Sequence, residues 1–136
     1  MRNRRFPLYA SLVLMFLLAV VHIAGMYLYL YWAYWWLDIL THFLGGLAGG
    51  LVAYWVLFCS GHFFREPVNY FAPILLTIAC LLVAGVAWEI FEYVYDIADT
   101  KERYVLDTSI DLFMDALGAA LAAFVGIKST IIRYVG

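Results

Sequence analysis

Leu8–Leu30 reads LYASLVLMFLLAVVHIAGMYLYL, a run of 23 residues with no Asp, Glu, Lys or Arg and a single histidine, His22. About 20 consecutive apolar residues suffice for a helix to cross the hydrocarbon core of a bilayer. Comparable runs recur near Leu37–Phe58, Pro73–Tyr95 and Ile110–Ile127. Of the 136 residues, 67% are hydrophobic and 13% charged, more apolar surface than a water-soluble chain of this length can bury. Lipid must therefore be the solvent, and there the backbone has to satisfy its own hydrogen bonds. Unbroken apolar runs without period-2 alternation exclude a β-barrel. The fold expected is all-α: an integral membrane bundle of four transmembrane helices, with residues 1–136 forming a single domain.

Four spans place both termini on one side. Arg2, Arg4, Arg5, Arg65, Lys128 and Arg133 lie on that side, against Lys101 and Arg103 across the membrane. The positive-inside rule then predicts cytoplasmic termini and an external loop over Asp96–Ser109, in a multi-pass protein of the inner membrane. The start Met1-Arg2-Asn3-Arg4-Arg5 followed by apolar residues has the look of a signal peptide, but no small-x-small cleavage site follows, so an uncleaved first helix is expected. Tyr31–Trp36 reads as an interfacial aromatic belt. Pro73 suits a first helical turn, and Asp107, Thr108 or Ser109 suits the cap of the fourth helix. Cys59 and Cys80 fall in the cytoplasmic half and read as small packed hydrophobes rather than a disulfide. Nothing in the charge pattern points to nucleic acid.

Of the ten acidic residues, this topology places only Glu66 in the cytoplasmic half. At a rise of about 1.5 Å per residue, His22 lies roughly 12 Å below the outer end of its helix, and His42 lies roughly 6 Å in from Asp38. On the same measure Glu89 and Glu92 fall roughly 5 to 10 Å, and Asp111 and Asp115 roughly 6 to 12 Å, inside theirs. The spacing i, i+4 for Asp38 and His42, i, i+3, i+7 for Glu89, Glu92 and Asp96, and i, i+4, i+8 for Asp107, Asp111 and Asp115 puts each set on one helix face. Gly45, Gly46, Gly49, Gly50, Gly85, Gly118, Ala119 and Ala122 continue those faces, and small residues let membrane helices approach closely.

Ionisable groups in a bilayer cost several kcal/mol each, and clustered carboxylates repel one another unless something neutralises them. Neither Lys nor Arg is available at that depth, which leaves protons, the histidines or a bound divalent metal. Carboxylates with imidazole suit Zn, Mn or Fe, and carboxylates alone suit Mg or Ca. His42, Glu89, Asp111 and Asp115 are the expected metal ligands, with Glu92 or Asp38 taking a proton or orienting a ligand. His22 reads as a hydrogen-bonded packing residue more readily than as a ligand, Asp107 has a simple alternative as a helix cap, and Asp96, Asp99 and Glu102 read as a solvated loop.

Three motifs occur in order: Asp38-Ile39-Leu40-Thr41-His42 running into Gly45-Gly46, Trp88-Glu89-Ile90-Phe91-Glu92, and Asp107-Thr108-Ser109-Ile110-Asp111 continuing to Asp115 and Gly118. In this respect the chain resembles the small bacterial YjdF and VanZ-like membrane proteins over its second to fourth spans. The resemblance implies a polytopic inner-membrane protein with an acidic and histidine constellation, this chain reading as a reduced core of the family. It implies no particular reaction.

Three functions fit the residues. A metal-dependent membrane hydrolase or transferase would act on a lipid head group or other small phosphate- or ester-bearing molecule at the outer leaflet. A transporter or channel component would use the same acids to bind cations or protons. A structural membrane subunit would use the polar layer to fix helix register, alone or in a homo-oligomer.

Overall fold

The computed structural model describes residues 4–64, 69–95 and 104–131, and those residues hold four helices long and apolar enough to span a membrane. Helix α1 covers Phe6–Tyr27 and begins with Pro7 in its first turn, where a missing N–H costs nothing. A single turn, α2, follows at Leu30–Ala33. Helix α3 covers Trp36–Tyr54 and runs on through a π-helical segment, Trp55–Cys59. Helix α4 covers Phe71–Val94, with Asn69 accepting the Ala72 N–H ahead of its first turn. Helix α5 covers Tyr104–Ile131. No strand occurs among the described residues.

Two expected boundaries are corrected. The first span ends at Tyr27 rather than Leu30, because Tyr29 takes a left-handed conformation (φ 55°) and turns the chain. Tyr31 then folds back over α1, where a Cβ on Gly25 would stand 2.6 Å from its ring. The last span begins at Tyr104 rather than Ile110, so the helical residues 104–109 do not belong to a loop. Asp107, Thr108 and Ser109 lie inside the helix instead of capping it, and the Ser109 hydroxyl donates to the Val105 carbonyl. The acids expected at Asp96, Asp99 and Glu102, and the basic residues Lys101 and Arg103, lie outside the described residues.

Helix α3 is central. It packs most extensively on α5 and also against α1 and α4, whereas α1 and α4 barely touch each other. The α3–α5 seam is built from small residues: Gly46 and Gly50 on one side, Gly118, Ala119 and Ala122 on the other, all buried. Backbone meets backbone there. A Cβ on Gly46 would lie 2.7 Å from the Asp115 Cα, one on Gly50 2.9 Å from the Ala119 Cα, and one on Gly118 2.6 Å from the Leu47 nitrogen. Contact this close supplies dispersion and packing energy where apolar lipid removes the usual hydrophobic drive between helices.

Farther along the seam the buried Tyr54 ring lies against Gly126, and its hydroxyl hydrogen-bonds that of Thr130 at 2.7 Å. Beyond the π-helical segment, Gly61 (φ 84°) reverses the chain so that the Phe64 N–H reaches the Leu57 carbonyl and Phe64 stacks on Phe58. Glycine is the residue that takes this conformation without strain. The outer faces carry Leu12, Val13, Phe16, Val20 and Ile23 on α1 and Val83, Val86 and Ile90 on α4, exposed apolar side chains suited to lipid contact. Cys59 is buried and Cys80 exposed, and no disulfide joins them.

Candidate functional site

The Gly46–Asp115 backbone contact lies one turn from His42 and sets the distance across the site. It brings the Asp115 carboxylate to 3.5 Å from Nδ1 of His42. Gly85 on α4 leaves room on the other side, since a Cβ there would stand 2.7 Å from Oδ2 of Asp115. Nε2 of His42 lies 3.9 Å from Asp38, one turn back on α3, and 3.9 Å from Asp111 on α5. One ligand atom each from Asp38, His42 and Asp111 falls within a mutual 4.8 Å. Asp111 and Asp115 are buried, while Asp38 is half-exposed at the mouth.

This arrangement brings together three of the residues singled out in the sequence, His42, Asp111 and Asp115, and adds Asp38, which had been given a proton-handling role. One imidazole flanked by three carboxylates can hold a proton shared through the ring. It can also offer mixed nitrogen and oxygen ligands to a divalent cation, with the carboxylates closing on the ion by rotation about their soft terminal torsions.

Glu89 stands apart from that group. Although it was grouped with the ligands by depth, it turns to the α4–α5 contact, where its Oε2 accepts a hydrogen bond from Thr108 at 2.7 Å. Tyr104 donates to its backbone carbonyl at 3.2 Å. Its Oε1 is buried without a partner among the described residues.

A cavity of about 450 Å³ adjoins the cluster, lined by side chains of α1, α3, α4 and α5. Asp38, His42 and Asp115 reach it, as do Glu92 and Trp88 from α4 and His22 from α1; Glu89 does not. His22 is held by the Tyr31 hydroxyl, 2.8 Å from its Nδ1, and packs edge-on against Trp88. Burial pushes the Tyr31 phenol above its ordinary value, so it remains a hydroxyl at that contact. Sequence reasoning missed Tyr31 and Thr108. Tyr31 was submerged in an aromatic belt with a sufficient interfacial explanation, and Thr108 looked like a cap.

No curated protein and no solved structure matches the chain. A family model does match, over residues 1–130. Together with the four apolar spans this establishes a multi-pass membrane protein, and the chain belongs to the family described as Predicted membrane protein (DUF2238).

Proposed function

We propose that the protein is a metal-dependent membrane hydrolase or transferase that acts on the head of a lipid or similar amphiphile. The carrying observation is the convergence of Asp38, His42 and Asp111 beside a cavity of about 450 Å³. In this reading those three residues would hold a divalent cation, Zn, Mn, Fe or Mg, which would supply Lewis-acid activation of water. Asp115 faces the other ring nitrogen; by accepting a hydrogen bond from Nδ1 it would leave Nε2 free to act as a ligand. Glu92, on the cavity wall, would face the head of a bound amphiphile. Glu89 serves the α4–α5 contact instead.

Enzyme rather than transporter is favoured by the far end of the cavity, lined by the apolar Met15, Leu18 and Leu81, one turn beyond which α1 and α4 carry the neutral hydroxyls of Ser11 and Thr77 rather than a carboxylate. In this reading, which takes its orientation from the Lys/Arg asymmetry, the site faces the outer leaflet of the inner membrane.

The test is release of head group from phospholipid presented to the purified protein in detergent micelles with added divalent metal. Release should be abolished by chelator and by His42→Ala. Release indifferent to both would overturn the proposal, as would proton flux through proteoliposomes that depends on His42 in the absence of metal.

A further inference from the structure

The cavity has a direction. From Glu92 to Leu81 on α4, from His22 to Met15 on α1 and from Asp38 to Gly45 on α3, its lining passes from ionisable to apolar in the same sense. These stretches correspond to roughly 10 to 16 Å along the helices. The apolar end lies between α1 and α4, which barely touch: α1 rests on α3, and α4 rests mainly on α5 and less on α3. A volume of about 450 Å³ is within the range of sites that enclose a small ligand.

The polar end carries the carboxylates of Asp38, Asp115 and Glu92 and the imidazoles of His22 and His42, and among the described residues no Lys or Arg lines it. Asp38 and Asp115 already face His42. Glu92 feels the His42 imidazole but forms no ion pair with a Lys or Arg among the described residues, and Trp88, one turn back on the same helix face, lies against it with an aromatic surface of the kind that attracts ammonium groups.

We infer that the cavity takes a lipid with an ammonium head group, its chain lying between α1 and α4 and its ammonium held by Glu92 and Trp88. This inference rests on the proposed reading of the cavity as a substrate site, and it selects the class of head group. Among the described residues a purely anionic head meets three carboxylates and no Lys or Arg from the cavity wall, so it is disfavoured at this end. A zwitterionic head can present its phosphate toward the metal cluster and its ammonium toward Glu92.

The experiment uses the full chain in dodecyl maltoside, titrated with lysophosphatidylethanolamine and with lysophosphatidylglycerol of equal chain length, with binding read from thermal stabilisation. The ethanolamine head should bind roughly tenfold tighter, the scale of one favourable charge and ring contact. Glu92→Gln should bring that ratio close to one. A Cβ on Gly45 meets nothing closer than Leu18 at 3.8 Å, so Gly45→Leu should fill the cavity without backbone conflict and weaken both ligands. A wild-type ratio of one, a preference for the glycerol head, or an unchanged ratio in Glu92→Gln overturns the inference, and undiminished binding by Gly45→Leu overturns the cavity as the site. Metal content of the same wild-type samples separates the two claims. Metal without head-group preference contradicts only this inference, and preference without metal contradicts only the metalloenzyme.

Discussion

The Thr108 hydroxyl donates to Oε2 of Glu89 at 2.7 Å, so a glutamate of α4 and a threonine of α5 close the helix contact beside the polar layer. With Oε1 of Glu89 already lacking a partner among the described residues, losing this donor leaves a buried carboxylate poorly satisfied. Thr108→Val should therefore destabilise the detergent-solubilised protein by about 1 to 3 kcal/mol, read as a fall in Tm. Metal content should be unchanged in Thr108→Val and in Glu89→Gln. Loss of metal in Glu89→Gln would return that glutamate to the ligand set.

The glycines of α3 should not be equivalent. Gly46→Leu must push against the Asp115 backbone, whereas at Gly49 the nearest obstacle is the tip of the Leu81 side chain at 2.9 Å. Overpacking against backbone costs about 1 to 3 kcal/mol or more, and a flexible side chain can yield. The expected order of Tm loss is Gly46→Leu, then Gly49→Leu, then Gly45→Leu. Equal losses would mean that the α3–α5 seam is looser than described.

The spans were legible because length and hydropathy alone define them. The start of α5 was not: Asp107, Thr108 and Ser109 have the composition of a cap, and the helix through them is secured by contacts with α4 that no local pattern shows, Tyr104 on the Glu89 carbonyl and Thr108 on its carboxylate. The end of α1 depends likewise on a left-handed Tyr29 and on Tyr31 reaching back to His22. Within the site, i, i+4 spacing correctly placed Asp38 with His42 on one face. It did not reveal that Glu89 and Glu92, three residues apart, turn to different neighbours, α5 and the cavity. Helix α4 is apolar nearly all round, so its pattern fixes depth but not rotation.

Asp115 and Asp111 should separate in a metal titration. If Asp115 orients His42 through Nδ1, Asp115→Asn should weaken metal affinity by about 10- to 100-fold while leaving a detectable site. Asp111→Asn removes a proposed ligand and should reduce binding further. Because ligands must shed protons before they bind, apparent affinity should rise with pH and metal should be released on acidification. Affinity that strengthens as pH falls would contradict ligation by these groups.

Orientation is testable at the α1–α3 connection, where Trp35 is exposed and lies outside the candidate spans. With Cys59 and Cys80 replaced, Trp35→Cys should react with an impermeant thiol reagent in intact cells. Reaction only after lysis would reverse the topology and move the site to the cytoplasmic leaflet.

Metal stoichiometry of the purified protein tests the central claim most directly. Elemental analysis after chelator-free preparation should find close to one divalent ion per chain in the wild type, much less in His42→Ala and Asp111→Asn, and an undiminished amount in Glu89→Gln. Wild-type protein without metal, or metal retained equally in His42→Ala and Asp111→Asn, would contradict the account and leave the buried carboxylates to be neutralised by protons.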